Sequence, residues 1–367
     1  MNLCICAPNK FRYSETFIHN QIQVLSPTIL LYEGWYPSVQ PNEKSFLPFP
    51  LNILAVRGGL RRFLPKIYHS IYSYFFAKLL KKNKIDVLLA NYGPMGASLA
   101  DACEQAGVKL VTHFHGFDAY HFDTLNKFEK GYQKLFQKAT KLVVVSEDMQ
   151  AQLLRLGADP NKVICNPYWV ELERFGGATP ENQAPVFIFV GRFTAKKAPQ
   201  LTLRAFAEAQ KQVPDAQLTM VGDGELWEET KLLSKGLGIS ERVDFLGVKS
   251  SDEIAQLLKN SMAFVQHSLR PDNGDSEGTP NTILEASATG LPIISTRHAG
   301  IKDAVVHKET GFLVDEGDWQ GMAQYMIQLA KDPVLAGKMG RAARHHMEEN
   351  YSKKKRVERL SQLLKNA

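Results

Sequence analysis

The sequence predicts an α/β protein built from two doubly wound domains. Short apolar runs alternate along the chain with longer amphipathic segments, a pattern typical of parallel sheets whose strands are joined by helical crossovers. The 367 residues also exceed what a single hydrophobic core usually organises. The alternation is lost over residues 173–185, a passage rich in Gly, Pro and Ala that we interpret as a linker.

The first domain is predicted at residues 1–172. Its strand candidates are LCICA, TILLY, NILAV, DVLLA, KLVTHF and KLVVV, with helical patterns such as ETFIHNQIQVL, PMGASLADACEQAG and FEKGYQKLFQKAT between them. The second domain is predicted at residues 186–345, with the strand candidates VFIFV, QLTMVG, RVDFLG, MAFVQ, PIIST and GFLVD. Residues 346–367 are predicted to form a C-terminal helix. No short-period repeat relates the two halves, so we expect two separate domains.

Composition places the chain among globular proteins. Hydrophobic residues make up 44% and charged residues 22%, which are ordinary values. No apolar run approaches the ~20 residues of a membrane span, and the N-terminus begins with a strand pattern instead of a signal peptide. We therefore expect a cytoplasmic protein, either free or peripheral at the inner face of the membrane. The four cysteines, Cys4, Cys6, Cys103 and Cys165, fit reduced thiols and suggest no metal site.

The net charge of +6 is unevenly spread, and residues 60–84 combine seven Lys or Arg side chains with six Phe or Tyr. Basic residues interleaved with aromatic residues on a helix suit an anionic membrane surface. The alternative is a helix packed on a sheet with a solvated basic end. No recognisable nucleic-acid module accompanies the charge, so we expect no nucleic-acid partner.

Residues 272–300, DNGDSEGTPNTILEASATGLPIISTRHAG, carry the strongest chemical pattern. A loop rich in Gly and Pro leads into the helical pattern NTILEASA, which Gly290 and Pro292 end before the strand PIIS. Glu277 lies on the loop and Glu285 in the first helical turn. The loop amides and the helix N-terminus form a seat for an anion, and each carboxylate can hold hydroxyl groups beside it.

These residues resemble the signature EGxPxxxxEAxAxGxPxI of the retaining glycosyltransferases of family 4. The match runs from Glu277 through Glu285 to Ile293. The resemblance implies that Glu277 faces the donor sugar and that Glu285 binds the ribose of its nucleotide. The other donor-binding residues of this segment would be Gly278, Thr279, Pro280 and Asn281. A simpler interpretation of Glu285 is a capping box with Thr282.

The resemblance also implies an architecture, GT-B, in which two Rossmann-like domains face each other across a cleft. The second domain would bind a nucleotide sugar, the first would bind the acceptor, and the last helix would cross back onto the first domain. The similarity is strongest from about Phe187 to Val314. It therefore assigns the donor side in more detail than the acceptor side.

A second candidate site is the sequence GRFTAKK directly after the strand VFIFV. Arg192 and Lys197 would lie at the carboxyl end of a parallel strand, where open α/β sheets bind their ligands. Fixed cations there can stabilise a departing diphosphate without a metal. The family motif GRxxxxKG matches at Gly191, Arg192 and Lys197, although Ala198 replaces its last glycine. Lys196 is a competing choice, and two ordinary surface cations are the alternative.

A third candidate is the sequence THFHGFD at the end of the strand KLVTHF. It resembles the HGxD segment of the same family, which implies that His115 lies near the donor sugar and the scissile bond and that Asp118 supports the loop. A competing interpretation is a metal site. His113 and His115 form an HxH pair, His121, Asp118 and Asp123 are nearby, and imidazole is a common ligand of zinc and iron.

Two further candidates concern loops after strands. In the loop PNKFRYSET, Ser14 is predicted as the N-cap of the first helix, with Phe17 at position N3. The SETFI sequence is similar to exopolysaccharide-assembly members of the family, so Ser14, Glu15 and Thr16 are assigned to the acceptor side, although capping alone explains Ser14. Gly222, after the strand QLTMV, permits close backbone approach to a ligand and is assigned to donor binding.

We therefore expect a retaining hexosyltransferase that moves a sugar from a nucleotide-sugar donor to a saccharide or lipid-linked saccharide acceptor in surface polysaccharide biosynthesis. The sequence contains no DxD triplet of the kind that metal-dependent glycosyltransferases use, so we expect neither a metal nor another cofactor. No carboxylate can be assigned as the nucleophile of a double displacement. A same-face mechanism, with the leaving phosphate accepting the acceptor proton, is preferred. The alternatives are a metal-dependent hydrolase and a non-catalytic nucleotide-sugar-binding relative.

Overall fold

The structure is a computed structural model, which describes residues 1–10, 15–42 and 44–367. The chain divides into two compact units, one made of residues 1–166 and 357–367 and the other of residues 167–356. The passage predicted as a linker, residues 173–185, lies in the second unit, where Pro180–Asn182 form a 3-10 helix.

The sheet of the first unit has six parallel strands. In chain order they are β1 (Leu3–Cys6), β2 (Ile29–Leu31), β3 (Val87–Asn91), β4 (Lys109–His113), β5 (Lys141–Val144) and β6 (Val163–Cys165). The helices are α1 (Thr16–Leu25), α2 (Leu54–Phe63), α3 (Pro65–Lys82), α4 (Gly93–Ala106), α5 (Phe117–Tyr120), α6 (Phe122–Lys138) and α7 (Glu147–Arg155). The strands lie in the order β2-β1-β3-β4-β5-β6. Every residue of β1 and β3 is buried, as expected for a parallel sheet covered on both faces.

One predicted strand of this unit is wrong. The run NILAV, residues 52–56, is apolar enough to predict a strand, but α2 begins within it at Leu54. Ile53 and Leu54 are exposed to 41% and 63%, whereas Arg57, one turn further, is buried and donates a hydrogen bond to Glu33. The segment is therefore attached through a polar contact instead of through its apolar side chains. The sixth strand, β6, forms instead in the run KVICNPY, which is not among the strand candidates.

Residues 60–84 form parts of two helices, since α2 ends at Phe63 and α3 begins at Pro65, a favoured residue in the first helical turn. Four large side chains at helical spacing on α3 are buried: Tyr68, Tyr72, Phe76 and Leu80. They form the packed face of the helix. Phe63, Leu64 and Ile67 are exposed, so the aromatic and apolar content of this stretch is divided between the core and the surface. Within the described ranges, no helix combines the length and apolar character needed to cross a bilayer.

The sheet of the second unit also has six parallel strands. They are β7 (Val186–Val190), β8 (Gln217–Val221), β9 (Val243–Gly247), β10 (Ala263–Val265), β11 (Ile293–Thr296) and β12 (Gly311–Val314). The helices are α8 (Pro199–Gln210), α9 (Trp227–Gly236), α10 (Ser251–Lys259), α11 (Asn281–Thr289), α12 (Ile301–Ala304), α13 (Trp319–Lys331) and α14 (Pro333–Asn350). The last helix, α15 (Lys353–Lys365), begins in this unit, and from Val357 onward it belongs to the first unit. The strand order is β12-β11-β10-β7-β8-β9. All six predicted strands of this half are confirmed.

The apolar core of the second unit lies between this sheet and its helices. Phe187 and Phe189 of β7 are fully buried, together with Phe193 and with Leu203 and Phe206 of α8. Each such side chain stabilises the fold by about 1.5 to 3 kcal/mol relative to an exposed position. Because Phe193 lies within the loop after β7, its burial in this core holds that loop in place.

The last helix contributes to the core of the first unit. Leu360 and Leu364 of α15 are four residues apart and share one helix face. Both are buried in a cluster that includes Ile5, Leu89 and Val143 of the first sheet. The final residues of the chain thus complete a core whose other members are all synthesised much earlier.

Candidate active site

A cluster of charged side chains lies at the carboxyl ends of β7 and β10. These neighbouring strands flank the point where the strand order of the sheet changes direction, which is where open α/β sheets bind ligands. The chain leaves β7 through Gly191 and forms a short 3-10 turn at Ala195–Lys197 before α8. It leaves β10 through a long loop that carries Glu277 and ends at α11.

Lys197 and Glu277 form an ion pair at the centre of this cluster. The Lys197 Nζ lies 3.1 Å from the Glu277 Oε1, and the two side chains are only 12% and 10% exposed. The same Nζ lies 3.4 Å from the side-chain oxygen of Gln266, to which it donates. Lys196 forms a separate pair, with its Nζ 3.0 Å from Asp275 Oδ2. The structure therefore distinguishes the two lysines, and Lys197 is the one beside Glu277.

The residue after Lys197 accounts for the departure from the GRxxxxKG motif. Ala198 has φ +38° and ψ +55°, in the left-handed region. Glycine adopts this conformation without steric cost, whereas other residues lose roughly 1 to 2 kcal/mol. Alanine keeps the backbone shape that the motif glycine would allow, so the lysine remains in place.

The electrostatics of the pair keep Glu277 ionised. Burial alone would raise the pKa of this carboxyl group, but the positive charges of Lys197 and Lys196 outweigh burial and lower its pKa to about 2. Burial lowers the pKa of Lys197, and Glu277 offsets this effect only in part, while Lys196 and Arg192 add to it. Arg192 is exposed. Two lysines therefore act on the Glu277 carboxylate, and the solvent-exposed Arg192 acts on Lys197.

The helix after the Glu277 loop begins without a side-chain cap. Pro280 is the N-cap residue and Asn281 the first residue of α11. The alternative capping box of Thr282 and Glu285 is therefore wrong, because Thr282 lies inside the helix and its buried Oγ1 has no partner among the described residues. Burial raises the pKa of Glu285 to about 7, although the charge of Arg174 opposes this. The start of α11 thus presents the amides of Asn281 and Thr282 and, one turn further along, the carboxyl group of Glu285.

The structure gives Gly222 a role that the sequence did not predict. Its φ is +132°, and a Cβ at this position would lie 1.9 Å from the carbonyl oxygen of Gly191. The neighbouring Gly224 is equally constrained by the backbone of Phe193. The absence of a side chain at Gly222 lets the loop after β8 pack on the loop after β7. The group that closely approaches Gly222 is therefore the Gly191 backbone of the same protein.

In the first unit, Asp118 organises the loop after β4. Its Oδ1 accepts hydrogen bonds from the amides of His115 (3.0 Å) and Gly116 (2.9 Å), and its Oδ2 accepts one from Gly93 (2.9 Å). Burial raises the pKa of Asp118 to about 6, and the backbone hydrogen bonds oppose this shift. The buried carboxyl group therefore joins the loop after β4 to the loop after β3.

His115 is held by groups from several elements. The side-chain nitrogen of Asn91 donates to the Cys6 carbonyl (3.3 Å), so its oxygen accepts from His115 Nε2 at 2.9 Å. The rings of Phe17 and Tyr92 lie with their centroids 4.6 and 4.7 Å from that of His115. Burial lowers the pKa of His115 well below its ordinary value. His115 is a neutral imidazole with its proton assigned to Nε2.

The neighbouring His113 is engaged in a different contact. Its Nδ1 accepts from the side-chain amide of Gln21 at 3.0 Å, and burial lowers its pKa to about 3. Over residues 1–10, 15–42 and 44–367, no group of three or more His, Cys, Asp or Glu side chains is arranged to hold a metal ion. The proposed cluster of His113 and His115 with His121, Asp118 and Asp123 is therefore not assembled.

The start of the first helix differs from the prediction. Glu15 occupies the N-cap position and Thr16 begins α1, so Ser14 is not the N-cap. Ser14 itself lies outside the described residues. The Glu15 carboxylate accepts hydrogen bonds from Asn9 Nδ2 at 3.4 Å and from the Tyr92 hydroxyl at 3.3 Å. Glu15 is thereby placed beside the residues that surround His115.

Comparisons with known proteins agree with the motifs. The profile of the family described as Glycosyl transferases group 1 matches residues 172–346, and that of Glycosyltransferase Family 4 matches residues 29–174. An Escherichia coli UDP-Gal:alpha-D-GlcNAc-diphosphoundecaprenol alpha-1,3-galactosyltransferase is 30% identical over 78% of this chain and 76% of its own length. The chain is a family 4 glycosyltransferase. A second relative of this glycosyltransferase, the amylovoran biosynthesis glycosyltransferase AmsK of Erwinia amylovora, is 28% identical over 76% of this chain and 70% of its own.

Solved structures identify the fold of the glycosyltransferase as GT-B. Anabaena HepE, crystallised with UDP-glucose, superposes with a TM-score of 0.78 over 100% of both chains at 16% identity. The lipopolysaccharide outer core galactosyltransferase WaaB in its apo form gives a TM-score of 0.74 over 98% of both chains at 18% identity. These likenesses concern the fold, and the two six-stranded parallel sheets are its elements.

Proposed function

We propose that this glycosyltransferase transfers a sugar, with retention of configuration, from a nucleotide-sugar donor bound by the second unit. The observation that carries the proposal is the buried Lys197–Glu277 pair with Arg192 beside it, at the strand ends where this fold class binds ligands. In this proposal Glu277 accepts hydrogen bonds from hydroxyl groups of the sugar. Arg192 and Lys197 stabilise the charge that develops on the departing diphosphate.

The start of α11 supplies the remaining donor contacts in this proposal. Asn281 begins the helix without a side-chain cap, so its first amides and positive dipole end can hold the diphosphate. Glu285 accepts hydrogen bonds from the ribose hydroxyls. The cost of keeping this carboxylate partly buried is then offset by those hydrogen bonds when the donor is bound.

The reaction would need no metal cofactor, because the cations of the protein take the place of a divalent ion at the leaving group. We infer a same-face mechanism, in which the bond between the anomeric carbon and the phosphate oxygen breaks as the acceptor oxygen approaches from the same side. The leaving phosphate accepts the acceptor proton. His115 cannot serve as a strong base, since its imidazole is neutral with a depressed pKa. Its proposed role is to line the site near the donor sugar and the scissile bond.

On the acceptor side, we propose a saccharide or lipid-linked saccharide used in surface polysaccharide assembly. Two relatives support this choice by their printed names, one acting on a diphosphoundecaprenol-linked sugar and the other in amylovoran biosynthesis. In the first unit, Glu15 accepts a hydrogen bond from Tyr92, whose ring packs on His115, and Asp118 holds the loop of His115. Thr16, the first residue of α1, is proposed for the acceptor side together with them. Ser14 keeps its assignment to the acceptor side as a proposal.

We also propose that the first unit binds an anionic membrane surface through residues 61–67, here named the α2–α3 corner. All seven residues of the corner are exposed. Phe63, Leu64 and Ile67 are 76%, 47% and 52% exposed, and the other side chains include Arg61, Arg62 and Lys66. Exposed apolar groups flanked by cations match the interface of an anionic bilayer, where each cation contributes about 1 kcal/mol.

The charge distribution around the corner favours an anionic surface over a neutral one. From Lys44 through Ile85 the sequence contains nine Lys or Arg residues, Lys44 included, and no Asp or Glu. The opposite end of α3, with Lys78, Lys81 and Lys82, is basic but has fewer exposed apolar side chains. We therefore expect that end to contribute long-range attraction, and the corner to insert.

Vesicle sedimentation tests this membrane contact. Wild-type protein should sediment with vesicles containing phosphatidylglycerol and not with pure phosphatidylcholine vesicles. Phe63→Ser with Ile67→Ser should abolish sedimentation, whereas the matched control Leu232→Ser, a 65% exposed leucine on α9, should not change it. Equal binding of the double variant and the wild type would refute the corner as the insertion site.

Nucleotide release from a panel of UDP-, GDP-, ADP- and dTDP-sugars tests the transferase. We expect one of these donors to release its nucleotide even when a chelator is present. The release would accompany transfer to the acceptor or, without an acceptor, slow hydrolysis of the donor. Glu277→Ala and Arg192→Ala should reduce turnover by about 100-fold or more, while Arg204→Ala, an exposed arginine on α8, should not. Loss of activity with the chelator, or full turnover in Glu277→Ala, would overturn the proposal.

A further inference from the structure

We propose that His298, oriented by Glu316, is a positioning residue that holds the Glu277 loop in its reactive place. This inference rests on the proposed role of Glu277 at the donor sugar. It adds a residue that neither touches the substrate nor belongs to the motifs that identify the family. Its action is exerted on the backbone of Glu277 and not on the carboxylate.

The contact is a hydrogen bond between a buried imidazole and a backbone amide. The Glu277 amide nitrogen lies 3.2 Å from His298 Nε2, and the hydroxyl of Ser276 lies 3.1 Å from the same atom. On the other side of the ring, His298 Nδ1 lies 2.6 Å from Glu316 Oε1. The side chain of His298 is only 2% exposed. The imidazole therefore bridges the Glu277 loop and a carboxylate that follows β12.

The partners determine which ring nitrogen carries the proton. A backbone amide can only donate, so His298 Nε2 must present its lone pair to Glu277. The ring proton then resides on Nδ1 and is donated to the Glu316 carboxylate. Glu316 thus selects the one tautomer that can accept from Glu277. The same logic of a carboxylate that fixes the tautomer of a working imidazole is known from other enzyme sites.

The second oxygen of Glu316 extends the arrangement to a third segment. Its Oε2 accepts from the Arg270 amide at 2.9 Å, and the next amide, that of Gly317, donates to His267 Nε2 at 2.8 Å. His267 and Arg270 follow β10, His298 follows β11, and Glu316 follows β12. Three consecutive strand ends are therefore connected at one edge of the sheet, around the loop that carries Glu277.

The long loop after β10 explains why such a device is needed. Fifteen residues, 266–280, separate β10 from α11, and none of them lies in a helix or strand. The loop amide at Glu277 would otherwise be buried without a partner, which disfavours the observed conformation. Through His298, the position of Glu277 depends on β11 and β12 as well as on its own loop. The carboxylate is thereby presented to the Lys197 side chain.

Two isosteric substitutions of His298 test the contacts of its two ring nitrogens separately. Glutamine places its side-chain oxygen near the position of Nε2, so His298→Gln keeps the acceptor for Glu277 and loses the contact to Glu316. Asparagine places its amide near Nδ1, so His298→Asn keeps a donor for Glu316 and loses the acceptor. His298→Gln removes the hydrogen bond to Glu316, whereas His298→Asn removes the hydrogen bond from the Glu277 amide and the contact with the Ser276 hydroxyl. A purely structural role predicts that the loss of turnover in each variant follows its loss of thermal stability.

We expect His298→Asn to lower kcat by roughly 10- to 100-fold, the range expected for one lost buried hydrogen bond. The KM for the nucleotide sugar should change by less than about 3-fold, because the helix α11 contacts are retained. His298→Gln should keep kcat within about 5-fold of the wild type. Thermal midpoints of both variants, measured alongside, report any general loss of stability.

Equal kcat values for the two variants would overturn the inference. If His298→Asn does not fold, Glu316→Ala replaces it, since a ring without its carboxylate can adopt the tautomer with the proton on Nε2. Wild-type kcat in Glu316→Ala would then refute the positioning role. Glu277→Ala is measured in the same series. If Glu277→Ala is fully active, the proposed function has failed, whereas an inactive Glu277→Ala with an active His298→Asn contradicts only the present inference.

Discussion

Replacement of Lys197 by methionine removes the positive charge that lies nearest to the buried Glu277 carboxylate. The pKa of Glu277 is held at about 2 against an ordinary 4.5, and this difference corresponds to about 3 kcal/mol in favour of the ionised, folded state. Breaking a buried ion pair by removal of one partner costs about 3 to 5 kcal/mol. We therefore expect Lys197→Met to lower the free energy of unfolding of the second unit by about 3 kcal/mol at neutral pH.

The pH dependence of this loss has a defined sign. A carboxyl group with a lowered folded-state pKa stabilises the fold above its unfolded pKa of 4.5, and the stabilisation is lost as the pH falls toward 2. At acidic pH the wild type itself loses the benefit of the pair. The difference in stability between wild type and Lys197→Met should therefore become smaller between neutral pH and about pH 3.

Tryptophan fluorescence during urea unfolding can measure this quantity for the second unit alone. That unit contains Trp169, Trp227 and Trp319, and the first unit contains only Trp35, so a Trp35→Phe background removes the other signal. Lys211→Met is the matched control, because Lys211 forms a surface ion pair with Glu208 whose side chains are 69% and 38% exposed. Its expected cost is about 1 kcal/mol. Equal losses in the two variants, or a loss in Lys197→Met that does not change with pH, would refute the reasoning.

Three further substitutions have defined outcomes. Glu285→Gln should stabilise the protein by about 1 to 3 kcal/mol at slightly alkaline pH but not below pH 4.5, because the raised pKa of about 7 disfavours the folded state at any pH where the unfolded carboxyl group is ionised. Thermal midpoints at the two pH values measure this stabilisation, and the affinity for the donor should fall in the same variant. Gly222→Ala should lower the thermal midpoint strongly, since its Cβ would lie 1.9 Å from a backbone oxygen, whereas Gly236→Ala on α9, where the Cβ would meet open space, should not. Equal midpoints for the two variants would contradict the close packing at Gly222. Asp118→Asn should lower the free energy of unfolding by about 2 kcal/mol or more, because its amide group would face backbone N–H donors, whereas Asp123→Asn, at an exposed position, should lower it little. Similar unfolding midpoints for the two variants would contradict the role of Asp118 in holding its loop.

The parts of the fold that the sequence predicts are those decided by local pattern. The run VFIFV becomes β7 because its residues are apolar and are covered on both faces. NILAV has the same appearance but is exposed, and the buried contact next to it is made by Arg57 with the sequence-distant Glu33. A single-sequence pattern contains no information about such a partner. The same limitation applies to Ser14, whose predicted cap position is taken by Glu15.

The candidate site shows a similar division. The motif spacing predicts both Glu277 and a lysine beside it, but it does not distinguish Lys196 from Lys197, which needs the 3-10 turn at Ala195–Lys197 and the left-handed Ala198. His298 is missed altogether. Its nearest signal is its position directly after a predicted strand, where ligand-binding residues of this fold class concentrate. Its partner Glu316 comes from another strand end, which is a tertiary relationship.

The first unit is discontinuous in sequence, and this has a consequence for synthesis on the ribosome. Its sheet is complete when residue 166 has been made, but Leu360 and Leu364 follow only after the whole of residues 167–356. At ordinary elongation rates that interval lasts on the order of ten seconds or more. During it, the nascent sheet has apolar side chains such as Ile5 and Leu89 without their final cover. The nascent chain is therefore expected to be a chaperone client until its last helix emerges.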